Sequence, residues 1–231
     1  VYQILTASLF VYSNIILCCC VLFLFMKKQK IDYYLVAFAE DYYLRKGFRL
    51  IDVPWLVSEK ISNITKPNWK RNFWVKNKVL VGSAEQSFIE LFLEGRIKEG
   101  RYLATTPCFR DESKVGWLHQ NYFLKTELIE IGSVGEKELE EVITTAKGFL
   151  SLFLKTKVVK TGISSFDIVD VKSGVELGSY GLSGLDHAGT SMRYVYGTGC
   201  ALPRLSTVLR SQRKKSYHED FNIPKSNFGS F

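Results

Sequence analysis

Residues 101–131 read RYLATTPCFRDESKVGWLHQNYFLKTELIEI, and the fold follows from this stretch. Two runs rich in apolar, aromatic and β-branched residues, 102–110 and 122–131, flank a polar segment, 113–120, that contains Gly116. That pattern predicts two facing strands joined by a flexible tip. Arg110, Asp111 and Glu112 close the first strand, and His119, Phe123 and Glu127 recur at four-residue intervals along the return. Taken alone, Arg110 and Glu112 fit an ordinary cross-strand charge pattern, and Phe123 fits a core aromatic.

Upstream, apolar residues at helical spacing predict an amphipathic helix over 27–46, stopped by Gly47, then a short strand over 48–53 closed by Pro54. Residues 56–66 read as a loop with a helical turn, and 72–81 as a hairpin turning at 76–78. Ser83 is a good N-cap, with Gln86 at the capping-box position, for a helix ending at Gly95. Downstream, an acidic first turn opens a long helix over 136–155. Short strands follow at 158–161, 166–171 and 174–177, then a Gly/Ser-rich passage to Thr190. A strand at 194–196 leads through the turn Gly197-Thr198-Gly199 into a final helix over 202–213. The tail, 216–231, shows no periodicity. These elements predict one α+β domain over 26–215, built on a largely antiparallel sheet flanked by helices.

With 231 residues, 46% of them hydrophobic, the chain can bury a substantial core, which excludes disordered and collagen-like classes. A net charge of +8 biases the surface towards anions: nucleic acid, nucleotides or lipid headgroups. Five cysteines, three of them adjacent at 18–20, do not make a disulfide framework, so a reducing, cytoplasmic setting is expected. The sequence lacks the zinc-ribbon, zincin, P-loop and nucleophile-elbow signatures. His119 and His187 read as loop residues and suggest no metal site. Residues 1–25 carry no charge, and lysines follow at 27, 28 and 30. A membrane anchor with a cytoplasmic C-terminal portion fits this leader, and so does an over-extended start ahead of Met26. A cleavable signal fits poorly, because its positive charges would precede the apolar run.

Three segments far apart in the chain belong together. Lys46-Gly47-Phe48-Arg49-Leu50-Ile51-Asp52-Val53-Pro54-Trp55-Leu56 is a helix end, a strand and a Pro-bounded edge. The second is the strand pair carrying Arg110, Glu112, His119, Phe123 and Glu127. The third, Gly197-Thr198-Gly199-Cys200-Ala201-Leu202-Pro203-Arg204, joins a strand to a helix with Arg in its first turns. In order and spacing these segments resemble motifs 1, 2 and 3 of the class II aminoacyl-tRNA synthetases, over about residues 27–213. Ala201 stands where motif 3 has its third glycine.

The resemblance implies ATP-dependent activation of an amino acid, and its chemistry suits these side chains. Activating a carboxylate means attack on the α-phosphate, whose growing charge must be met by fixed cations. Arg110 is the expected clamp on the α-phosphate and the attacking carboxylate. Arg204 is expected to lie over adenine while reaching terminal phosphate, a use of guanidinium that Lys cannot copy. Phe123 would form the other face of an adenine sandwich, and Glu112 would accept from the adenine amino group. Glu176, matching the acidic strand before motif 3, is the first choice as Mg²⁺ ligand, with Asp167 and Asp170 weaker. Glu85 lies where the family holds the substrate's α-amino group. Gln120, Ser179, Tyr180 and Ser183 are pocket candidates, and Gly181 belongs to a glycine floor over 178–184.

Motif 1 in the family lies at a two-fold interface, which implies a homodimer; the alternative is a Trp55 buried within its own subunit. The acyl acceptor is expected to be the acceptor stem of a tRNA, as in protein biosynthesis, or a protein or small carrier. Arg210, Arg213, Lys214 and Lys215 fit either a solvated helix end or a contact to RNA phosphates. A non-catalytic paralogue serving as an RNA-binding or regulatory subunit is the rival reading.

Overall fold

The computed structural model describes residues 31–67, 70–116, 118–187 and 189–212. The apolar leader and the C-terminal tail lie outside them, together with the basic residues 213–215. Helix α1 (Tyr33–Leu44) begins where the Asp32 carboxylate accepts from the Leu35 N–H. Strand β1 is Arg49–Leu50 alone, shorter than the predicted 48–53, since Phe48 turns into the core and the backbone leaves the ladder before Pro54. The expected loop over 56–66 is ordered: β2 (Leu56–Val57) leads to α2 (Glu59–Thr65), whose first turn is capped by Ser58. The predicted hairpin is present as β3 (Trp74–Val75) and β4 (Lys78–Leu80), and α3 (Ala84–Leu93) follows from Ser83.

Strands β5 (Gly100–Phe109) and β6 (Tyr122–Ile131) form the predicted antiparallel pair, in register from Gly100↔Ile131 to Phe109↔Tyr122. Helix α4 (Glu136–Ser151) follows, then β7 (Thr156–Gly162) and β8 (Ser165–Asp170). The passage read as a Gly/Ser-rich connection is in fact the long strand β9 (Glu176–His187), and β10 runs from Thr190 to Leu202. Gly197-Thr198-Gly199 is therefore not a turn. It lies inside β10, where the register to β6 shifts between Thr198 and Cys200, and α5 (Arg204–Gln212) starts after a cis Leu202–Pro203 bond.

Seven strands form one sheet in the order β1-β5-β6-β10-β9-β8-β7, antiparallel except for the β1–β5 pair, and β2-β4-β3 form a small second sheet. Helices cover the large sheet on both faces. Ala39 and Tyr43 of α1, Val142 and Ala146 of α4, and Leu205 and Val208 of α5 pack with Leu103, Leu128 and Val195. Ile61 of α2 and Phe88 and Ile89 of α3 pack with Tyr102, Ile129 and Tyr194 on the other side. Leu128 and Ile129 thus serve opposite cores, so adjacent residues of a central strand are both apolar there.

The glycines that concealed β9 and β10 are sites of close packing. A Cβ on Gly197 would lie 2.5 Å from the Tyr180 ring and 3.2 Å from Val142. That ring is fully buried and held by its hydroxyl, which donates to the Thr198 carbonyl at 2.6 Å. Gly197→Ala is expected to cost about 1–3 kcal/mol through overpacking, lowering Tm by roughly 3–10 °C. A melting curve unchanged within a degree would show that the ring yields.

Among the described residues no helix is long and apolar enough to cross a membrane. Cys108 and Cys200 are free and buried, and burial pushes their thiols up to about 11 and about 12. Trp55 is 56% exposed, which rules out burial within its own subunit.

Candidate active site

Side chains two residues apart on a strand share a face, so Phe123, Lys125 and Glu127 of β6 stand in a row. Ile129 and Ile131 continue that row into the core beneath α3. Beyond the start of α3 the face opens into two adjoining cavities of about 280 and about 300 Å³.

Glu85 and Glu127 sit in the first cavity. Glu127 is 1% exposed, and its charge is met on both oxygens: Lys125 Nζ donates to Oε1 at 2.7 Å, and the Ser83 hydroxyl donates to Oε2. The same Ser83 oxygen accepts from the Glu85 N–H, while Gln86 Oε1 accepts from the Gly82 N–H. The cap of α3 is thereby built into the cavity wall. Glu85 accepts from the Tyr194 hydroxyl at 2.9 Å. Burial above all, reinforced by the Glu127 charge, raises its carboxyl from 4.5 to about 7.

The second cavity gathers Glu112, Gln120, Phe123, Glu176 and Arg204. Arg110, one residue past the end of β5, is held by its Nε, which donates to the Gly82 carbonyl at 2.9 Å. Its guanidinium lies 5.0 Å from the centroid of the Phe123 ring. Arg204 opens α5 and donates to Glu176 Oε1 at 2.8 Å and to the Leu118 carbonyl at 3.3 Å. Glu112 pairs with Lys70 at 2.6 Å. Four residues line both cavities: Lys70, Arg110, Lys125 and Ser179.

Arg110 and Arg204, 94 positions apart in the chain, therefore face one space. Glu85, Glu112, Gln120, Phe123, Glu176 and Ser179 join them at the walls. Other expected residues do not line either cavity. Gly181 is covered by the Tyr196 ring, which leaves no room above it. Tyr180 points into the opposite core, so it is not a pocket residue. Asp170 is fully buried, with Oδ2 accepting from Ser173 and Gln212, and it fixes the turn after β8 to α5. Ser183 bonds the Tyr194 hydroxyl behind Glu85. Arg204 is held by the start of α5 and by Glu176, since the expected Gly turn is strand. Lys125 and Lys70 were not foreseen. The period-two row on β6 carried the signal for Lys125, while nothing local marks Lys70, which reaches the site from the segment after α2.

Glu176 supplies hard oxygen donors at the wall of the second cavity, and Asp167 stands behind it, within reach of Ser179 and Glu176 but not on the wall. The Asp167 carboxyl is raised, first by burial and further by Glu176, while a Ser179 hydrogen bond opposes the shift. Among the described residues no group of three His, Cys, Asp or Glu side chains could hold a metal alone. Two carboxylates suit Mg²⁺ carried in on phosphate oxygens, the usual arrangement for that ion.

No family model matches the sequence, and no curated protein matches it. Solved structures do match the fold. A pyrrolysyl-tRNA synthetase from Desulfitobacterium hafniense superposes with a TM-score of 0.62 at 20% identity, covering 81% of this chain and 72% of that one. The seryl-tRNA synthetase of Pyrococcus horikoshii, solved with ATP, gives 0.62 at 17% identity over 77% of this chain and 49% of its own. The cytoplasmic serine-tRNA ligase of Naegleria fowleri, solved with AMP, gives 0.57 at 16% identity over 76% and 46%. This chain thus spans about half the length of the two seryl enzymes. An antiparallel sheet of this order, covered by helices on both faces and matching these three enzymes, is the catalytic fold of the class II aminoacyl-tRNA synthetases.

Proposed function

We propose that the protein binds ATP in the second cavity and an amino acid in the first, and joins them as an aminoacyl-adenylate. The observation that carries this reading is the convergence of Arg110 and Arg204 on one cavity, with the cations Lys70 and Lys125 where it meets the next. A carboxylate oxygen attacks the α-phosphorus, the bond to the bridging oxygen breaks, and pyrophosphate leaves. Arg110 clamps the α-phosphate and the attacking carboxylate at the junction, where charge builds in the transition state. Arg204 leaves Glu176 to stack on the base and reach the terminal phosphate, with Phe123 as the opposing face. Glu112 accepts from the adenine amino group.

Glu85, ionised, receives the substrate ammonium, and Gln120 and Ser179 complete the polar walls. Mg²⁺, held by Glu176 with Asp167 beside it, would offset charge on the triphosphate. The +8 net charge suits an RNA acceptor for the acyl group, and a protein or small carrier is the other class of acceptor. The exposed Trp55 beside the Pro-bounded edge supports a homodimer across that face.

Amino-acid-dependent exchange of labelled pyrophosphate into ATP, screened over the standard amino acids and close relatives, tests the reading. Exchange with at least one of them is expected. ATP binding without exchange for any would leave a non-catalytic paralogue, and unchanged exchange in Arg204→Ala would remove Arg204 from the site.

A further inference from the structure

Lys125 has no part in the roles above beyond its place at the junction, yet its setting is that of a working group. It stands on β6, a central strand, with its side chain 11% exposed, and it lines both cavities. An ammonium has three donors. The one hydrogen bond Lys125 makes among the described residues goes to Glu127 Oε1, whose partner oxygen already takes the Ser83 hydroxyl. Burying an ion pair is costly, and an apolar pair of similar volume would hold the fold as well. The charge is thus retained at the place where two cavities meet, aimed from a rigid strand and fixed in direction by a carboxylate that is itself fixed by the cap of α3.

We propose that Lys125 is a third cation of the reacting centre, contacting the anion seated at the junction: the α-phosphate of the nucleotide and the carboxylate that attacks it. Glu127 is its positioning residue. The proposal rests on the nucleotide reading above. It adds a residue that lies between Phe123 and Glu127 in the second segment but has no role in the expectations above, and it divides the work at the phosphate: Arg110 reaches in from the end of β5, and Lys125 from the facing strand.

AMP carries the α-phosphate and adenosine does not, so their affinities separate this role from adenine binding. Calorimetric titration of the full chain with each ligand is the test. Lys125→Met is expected to weaken AMP about tenfold or more, the loss typical of a charge-assisted contact, while adenosine stays within twofold. Lys125→Arg should recover most of the AMP affinity. Because K125M leaves Glu127 buried without its cation, the double variant K125M/E127Q provides a second background, and the same selective loss is expected there. E127Q alone, which keeps the ammonium but loses the charge that aims it, should weaken AMP by a few-fold, less than K125M, with adenosine unchanged. Equal weakening of AMP and adenosine, or no weakening of either, overturns the proposal. A wild-type chain that binds neither ligand overturns the nucleotide reading itself, a distinct result.

Discussion

Replacing Arg110 with alanine is expected to lower amino-acid-dependent pyrophosphate exchange by about 10³-fold, the scale seen when a preorganised donor to a developing oxyanion is removed. The arginine sits at the end of β5, its Nε anchored on the Gly82 carbonyl, and its free guanidinium edge opens onto both cavities. Anchoring matters because a clamp that must be ordered during the reaction spends part of its interaction energy on that ordering. The Gly82 carbonyl lies at the cavity wall, so the cost to stability should be small and the melting temperature should stay within a few degrees. Arg110→Lys is expected to recover little, since one ammonium cannot hold the carbonyl and bridge two anions in a plane at once. Loss of exchange below tenfold in R110A would mean that the carboxylate and the α-phosphate meet elsewhere.

The second large effect is a dependence on pH. With its carboxyl raised to about 7 by burial and by Glu127, Glu85 is mostly neutral at pH 6 and mostly ionised at pH 8. A substrate ammonium binds the ionised form, so the amino acid's KM should fall about tenfold between pH 6 and pH 8 and level off above that range. The dependence has this sign because the raised value favours the protonated carboxyl in the empty site. Stability from that neutral form is full below the ordinary carboxylate range and is lost as the pH rises through about 7. A bound ammonium reverses the preference and releases a proton. Glu85→Gln should flatten the profile and raise KM at pH 8, while ATP binding is unaffected. A KM that is level from pH 6 to 8 in the wild type would place the ammonium against another group.

The cations at the site's walls are paired with carboxylates of the same chain. Arg204 pairs with Glu176, Lys70 with Glu112, and Lys125 with Glu127. Each cation thereby has a counter-charge, and on the proposed reading a triphosphate would enter by exchanging with carboxylates. On that reading, ligands that bring both anionic and cationic groups are favoured, as ATP with an amino acid would be, because Glu176 would need a cation once Arg204 turned away.

Several features of this molecule were legible because they are local. The β5–β6 pair follows from two apolar runs around a polar tip, α3 from the cap at Ser83, and α4 from its acidic first turn. Arg110, Phe123 and Arg204 are marked by where they fall against those elements. Local pattern failed where both faces of a strand are covered. Glycines in β9 and β10 then resemble turn residues, although Gly178, Gly181, Gly197 and Gly199 each lie where a neighbouring tyrosine leaves no room for a side chain. Tyr180 was misplaced for the same reason, since alternation cannot say which of two buried faces borders the site.

The residues alone marked the β5–β6 pair, the starts of α3 and α4 and the two arginines, since hydrogen-bonding periods and caps act over a few positions. The meeting of those arginines in one space, the shift at Thr198/Cys200 that carries the chain into α5, and the placing of Lys125 between two cavities were decided by the tertiary structure. They depend on which strands become neighbours, and that choice is made by burying two cores at once rather than by any local preference.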